Sequence, residues 1–130
     1  MIDDLGGVTS NLVKLALDVS VLRQKVIANN IANANTPGYV PNKVSFEEHL
    51  TNASINSPQS NTDKQLVMQV ESVRNKLNSG DLLLRSGAES VMLDMEIAGM
   101  AENVIRYQAL LTGLSKHSSI IKLAIHEGRQ

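Results

Sequence analysis

Apolar residues recur at alternating intervals of three and four at both ends of the chain, a spacing that an α-helix turns into one continuous stripe and that few other structures can use. Near the N-terminus the stripe runs Leu5, Val8, Leu12, Leu15, Val19, Leu22 and Val26, with Asn29 at the next position. Asn11, Lys14, Asp18, Arg23 and Lys25 fall beside it and suit solvent, while Leu17 and Val21 widen the apolar face. The pattern predicts a helix from about Thr9 to Ala34. Toward the C-terminus the alternation runs Leu93, Ile97, Met100, Val104, Tyr107, Leu111, Leu114, Ser118, Ile121 and Ile125, with Ser118 its one polar member. Asp94 and Glu96 open this segment and Lys122, His126 and Arg129 close it, matching the sign of the helix macrodipole at each end. Gly128 is the expected stop. A helix from Val91 to Glu127 would reach roughly 55 Å at 1.5 Å per residue, so the molecule is expected to be elongated.

Further apolar residues lie off the second stripe, among them Met92, Met95, Ile105, Leu110, Ile120 and Leu123. One partner helix cannot cover them all, and apolar surface of that extent marks an interface. The expected fold is mainly α: two long terminal helices packed as a coiled coil, with the surplus surface buried against other subunits. The competing arrangement is a monomeric bundle closed by a third helix from the middle of the chain. Aromatic residues are only 2% of the sequence and Trp is absent, so burial must come from aliphatic side chains. The assembly seam is expected at Leu12, Leu15, Val19, Leu22, Val26, Ile97, Met100, Val104, Tyr107, Leu111, Leu114, Ile121 and Ile125.

The chain divides into an N-terminal axial helix (1–36), an irregular middle (37–90) and a C-terminal axial helix (91–130). In the middle, Ser45 and Glu48 have the spacing of a capping box that starts a short helix, with Phe46 and Leu50 four apart. Residues 51–61 are rich in Asn and Ser, include Pro58, and read as a flexible linker. From Leu66 to Leu77 both a helical and an alternating pattern can be drawn, and the helical one is preferred. Leu82 to Arg85, followed by Ser86-Gly87, reads as an extended segment with a turn.

Catalytic and ligand-binding classes find little support. Twelve Lys and Arg against thirteen Asp and Glu give a net charge of −1, with no basic footprint for nucleic acid. Without Cys there is no thiolate site or thiol nucleophile. His117 and His126 fall on opposite sides of a helix, and the Glu47-Glu48-His49 run diverges around a short one, so no metal site is expected. Gly6-Gly7 lacks the Lys-Ser/Thr of a phosphate loop, and no Ser has the setting of an activated nucleophile. Neither an enzyme nor a cofactor is expected. No stretch of about 18 apolar residues is present for membrane insertion. Asp3 and Asp4 stand where a secretory signal carries basic residues, so no cleaved signal peptide is expected.

The end of the first helix carries the most specific signal. Asn29, Asn30, Asn33 and Asn35 bring amides to several faces of the closing turns, and Asn caps, turns and accepts left-handed geometry. Pro37 forbids helical continuation. Thr36-Pro37-Gly38-Tyr39 has the residues of a type II turn, with Gly38 where positive φ is required. As a whole, Asn29-Asn30-Ile31-Ala32-Asn33-Ala34-Asn35-Thr36-Pro37-Gly38-Tyr39 closely resembles the N-terminal signature of the bacterial flagellar basal-body rod and hook protein family. Asp94, Glu96, Met100-Ala101-Glu102-Asn103, Tyr107-Gln108-Ala109-Leu110, Leu114-Ser115-Lys116 and Ala124-Ile125 look like the C-terminal helix of that family's short proximal-rod members, whose length also matches. Gly87-Ala88-Glu89-Ser90 stands where the family usually has Asp-Gly-Asn-Asn.

The resemblance implies a structural subunit of the proximal rod, a drive-shaft that transmits torque for motility. It implies a periplasmic place in the flagellar basal body, reached through the flagellar type III export apparatus without signal cleavage. The implied partners are other rod subunits, further copies of the chain, and the junction protein that links rod to membrane ring. The alternative is a soluble helical adaptor or chaperone that binds a partner's amphipathic helix through the same stripes; a hydrolase built around His49 and nearby carboxylates is the remote third.

Overall fold

A computed structural model of the chain describes residues 2–55 and 63–129. Six elements follow in order: helix α1 (Ile2–Ala32), strand β1 (Asn42–Val44), helix α2 (Phe46–Ile55), helix α3 (Asp63–Ser79), strand β2 (Leu83–Arg85) and helix α4 (Leu93–Glu127). The terminal helices, of 31 and 35 residues, dominate the molecule. They run antiparallel: Asn30 meets Glu96, Ile27 approaches Gly99, and Ser20 and Gln24 meet Asn103, one chain position rising as the other falls. The mainly α fold with paired terminal helices is therefore present.

Element boundaries differ from expectation in three places. The first helix starts at Ile2 rather than near Thr9, so Gly6 and Gly7 lie inside it, where each Gly disfavours the helix by only about 1 kcal/mol relative to Ala. It ends at Ala32, and Asn33 to Asn35 are already in turns. The middle is more regular than the irregular segment anticipated, with two helices and a two-stranded antiparallel sheet. Thr51 to Ile55, expected in the linker, form the second half of α2; the remainder of that stretch, 56–61, lies outside the described residues. The helix expected over Leu66–Leu77 is α3, and the extended segment at Leu82–Arg85 contains β2.

The buried core lies between α1 and the middle segment. Leu15 and Val19 of α1 pack with Val44, Phe46, Val70, Val73 and Leu82, flanked by Ala16, Leu22, Val26, Leu50 and Leu77. Burying such aliphatic side chains stabilises by about 1.5 to 3 kcal/mol each. The single Phe and the β-branched residues of the chain's middle are what α1 packs against. By contrast, α4 has one buried residue, the polar Asn103.

Local chemistry sets the turns that make this possible. At the end of α3, Gly80 takes φ 85°, its N–H donates to Leu77 O at 3.3 Å, and Asp81 N–H donates to Lys76 O at 3.0 Å. This is the Schellman pattern, which turns the chain so that Leu82 enters the core fully buried. β2 then pairs with β1 in the register Asn42↔Arg85, Lys43↔Leu84, Val44↔Leu83. Ser45 precedes α2 as the capping pattern suggested, but its hydroxyl donates to Leu82 O at 3.1 Å and so ties the sheet to the helix start. Arg74 to Asp18 at 3.2 Å links α3 to α1, and Lys76 Nζ to His49 Nδ1 at 3.1 Å links α3 to α2.

Candidate functional site

The asparagine-rich motif closes α1 and folds the chain back along it. Asn33 Nδ2 donates to Asn29 O at 2.9 Å, and the Thr36 hydroxyl donates to Asn33 Oδ1 at 3.2 Å, so side chains continue hydrogen bonding where the helix stops. Tyr39 N–H donates to Thr36 O at 3.2 Å, with Gly38 at φ 75°: the expected turn with its expected left-handed glycine. Pro37 and Gly38 are exposed, as are Ala32 and Asn35, while Ile31 is half-buried.

Asn30 is the centre of this region and is 1% exposed. Its Nδ2 donates to Asn42 O at 2.9 Å and its Oδ1 accepts from Asn42 N–H at 3.1 Å, so the side-chain amide pairs with β1 as a neighbouring strand's backbone would. The Tyr39 hydroxyl donates to the same Oδ1 at 2.7 Å and accepts from Asn29 Nδ2 at 3.1 Å. The second Nδ2 proton reaches Glu96 Oε2 on α4 at 3.3 Å. Two donors and two acceptor positions are all used, the condition for burying an amide without penalty. One side chain thereby joins α1, β1 and α4.

The heptad stripes divide between two uses. On α1, Leu15 and Val19 are buried within the chain and Leu22 and Val26 pack beside them, whereas Leu12 is exposed. Ser20, Gln24, Ile27 and Asn30 of α1 reach α4. On α4, Met100, Tyr107, Leu114 and Ile121 are half-buried, but Ile97, Val104, Leu111 and Ile125 are exposed by 53%, 43%, 42% and 49%. The less exposed positions between them are Glu96, Asn103, Leu110 and His117, each one residue earlier than the expected seam position. The helix is rotated about half a residue step from the apolar reading, and polar Glu96 and Asn103 face α1. Asn103 Nδ2 donates to Ser20 O at 2.9 Å and Gln24 Oε1 at 3.0 Å.

That packing leaves apolar side chains on several faces of α4, with Leu93, Met95, Ile105, Ile120 and Leu123 exposed as well, and Met92 exposed just before it. Val104, Tyr107 and Leu111 line a groove of about 460 Å³ with Val21, and none of the residues lining it is charged. Glu47 at the start of α2 pairs with Arg23 on α1 and with Arg106 on α4, the latter at 3.4 Å, closing the α1–α4 pair on another side.

Sequence reasoning missed Asn42, Glu47, Glu96 and Asn103 as structural partners. A polar stripe offset by one residue, Glu96, Asn103 and His117, was the available signal for the last two. Among the described residues no group of three His, Cys, Asp or Glu is arranged to hold a metal ion, and no helix is long and apolar enough to cross a membrane.

The comparisons with known proteins point one way. The family model described as "Flagella basal body rod protein" matches residues 21–39, the end of α1 and the motif. The chain is similar to the flagellar basal body rod protein FlgB of Bacillus subtilis (strain 168), 34% identical over 95% of this chain and 96% of the relative. It is also similar to FlgB of Borrelia hermsii, 32% identical over 78% of this chain and 82% of the relative, and to FlgB of Proteus mirabilis (strain HI4320), 29% identical over 98% and 100%. No solved structure gives a significant match.

Proposed function

The chain belongs to the FlgB family of flagellar basal-body rod proteins, and from that premise we propose that it is a structural subunit of the proximal rod whose terminal helices associate with neighbouring subunits. The observation that carries the reading is α4: a 35-residue helix with exposed apolar side chains along Met95, Ile97, Val104, Ile105, Leu111, Ile120, Leu123 and Ile125, covered by α1 on one side only. A helix apolar on several faces is built to be buried on several faces. In a tube wall each subunit has neighbours on both flanks and above and below, which is the number of contacts such a helix needs.

The subunit is a passive mechanical part. Torque passes through it as shear between packed helices, so contacts must be extensive along the axis, and two paired helices of 31 and 35 residues supply that length. The bonds from Asn30 to Glu96 and from Asn103 to Ser20 and Gln24 mark one register of α4 along α1, the register in which these polar groups meet, and add little to the strength of the pair. Its partners in this reading are other rod subunits, further copies of itself and the protein joining rod to membrane ring, and it reaches the periplasmic basal body through the flagellar type III export apparatus without loss of a signal peptide. Nothing in the comparisons favours the helical adaptor.

The test is to purify basal bodies from cells that produce an epitope-tagged chain in place of the native one. The tagged chain is expected in the rod fraction at its full mass, and cells lacking it are expected to be non-motile. A chain found only in the soluble fraction, in cells that still swim without it, contradicts the reading.

A further inference from the structure

The fold treats the two edges of the β1–β2 pair differently. In an antiparallel ladder the hydrogen-bonded residue pairs alternate along the strands. Ser45 N–H donates to Leu82 O and Ser86 N–H to Pro41 O, both at 2.9 Å, so Lys43 and Leu84 form the pair between them. Asn42 and Val44 on β1, and Leu83 and Arg85 on β2, therefore turn their backbone groups away from the partner strand. Asn42 has both groups taken by the Asn30 amide, and Val44 beside it is buried in the core with Leu15 and Val19 of α1, so this edge is covered. On β2, Leu83 N–H turns back to Gly80 O at 3.1 Å. Leu83 C=O and both backbone groups of Arg85 make no hydrogen bond within the described residues. Leu83 and Leu84 are each 42% exposed and point to opposite faces. An open edge with apolar side chains on both faces is a template for another strand.

We propose that this edge receives the Ala88–Met92 segment of a second copy of the chain, added antiparallel so that Arg85 lies opposite Glu89 and Leu83 opposite Val91. The proposal rests on the rod-subunit reading. In this register Arg85 N–H donates to the second copy's residue 89 carbonyl, the N–H of residue 89 donates to Arg85 O, and the N–H of residue 91 donates to Leu83 O, so every open group on β2 is used. The segment lies outside helix and strand, with exposed bends at Glu89 and Ser90 that straighten on pairing, and Met92 is 59% exposed with φ −94° and ψ 98°, an extended conformation. The Glu89 carboxylate meets the Arg85 guanidinium. Donor segment and acceptor edge are different surfaces, so the contact is head to tail and can pass from copy to copy around a wall of rod subunits.

The chain has no Cys, which makes the test direct. Leu84→Cys and Ser90→Cys, residues opposite one another in this register, are produced as two single-Cys chains in the same cell, and purified basal bodies are oxidised. A reducible dimer containing one chain of each kind is expected. A dimer of Leu84→Cys chains alone means edge-to-edge pairing and overturns the head-to-tail contact. No dimer from rods that contain both chains overturns the contact and leaves the rod reading standing, whereas absence of both chains from basal bodies removes the rod reading and the proposal with it. Charge reversal gives a second measurement: Glu89→Arg should lower incorporation about tenfold and Arg85→Glu with Glu89→Arg should restore most of it. Equal incorporation of the single and double variants overturns the pairing.

Discussion

Asn30 shows why one residue type recurs where α1 ends. Its amide completes the edge of β1, holds Tyr39 and reaches α4, so Asn30→Ala leaves the Asn42 backbone groups without partners and the Tyr39 hydroxyl without its acceptor. The expected loss in urea unfolding is about 3 kcal/mol, from unsatisfied buried groups at 1 to 3 kcal/mol apiece. Asn30→Asp keeps the acceptors but loses both donors and sets a carboxylate against Glu96; it is expected to be at least as damaging. Gly38 is a different case, because a Cβ there meets nothing within 4 Å and only its φ of 75° is demanding. Gly38→Val should lose about 1 to 3 kcal/mol in the same assay and Gly38→Asn much less, since Asn tolerates left-handed backbone. The glycine was readable because a type II turn announces itself within four residues. The role of Asn30 was not, because Asn42 and Glu96 reach it through the tertiary fold, from 12 and 66 positions away.

At the scale of elements, α4 separates what periodicity reveals from what it hides. The three-four spacing located the helix; of its apolar stripe, Met100, Tyr107, Leu114 and Ile121 are half-buried within the chain and Ile97, Val104 and Leu111 are exposed. The chain instead turns Glu96 and Asn103 toward α1, since Asn30, Ser20 and Gln24 offer polar partners there. Apolar patterning measures what a helix must bury somewhere, and a helix that also packs against other chains buries only part of it at home. Asn103→Leu is accordingly expected to shift the urea midpoint little, within about 1 kcal/mol, because Asn103 Oδ1 has no partner to lose and a leucine recovers apolar burial. A loss of several kcal/mol would mean that the Asn103 bonds hold the α1–α4 pair. The strand β1 left no trace in the sequence: three residues with one apolar side chain are too short for an alternation to register.

For the whole molecule, interior and outer apolar surface lie on different faces and should respond separately to substitution. Leu15→Asp places a charge in the core and is expected to abolish folding, since an unpaired buried ion is penalised by several kcal/mol. Leu111→Asp falls on a side chain 42% exposed, so the isolated chain should keep its circular dichroism and unfolding midpoint while incorporation into rods is lost. Such a division follows from a subunit that folds around α1 and assembles through α4. The most direct measurement is a side-chain-resolution electron-microscopy map of purified basal bodies. It is predicted to place α1 and α4 of this chain along the proximal rod, with Ile97, Val104, Leu111 and Ile125 within about 4.5 Å of neighbouring subunits. A map in which those four side chains face solvent, or in which no rod density fits the chain, would contradict the account.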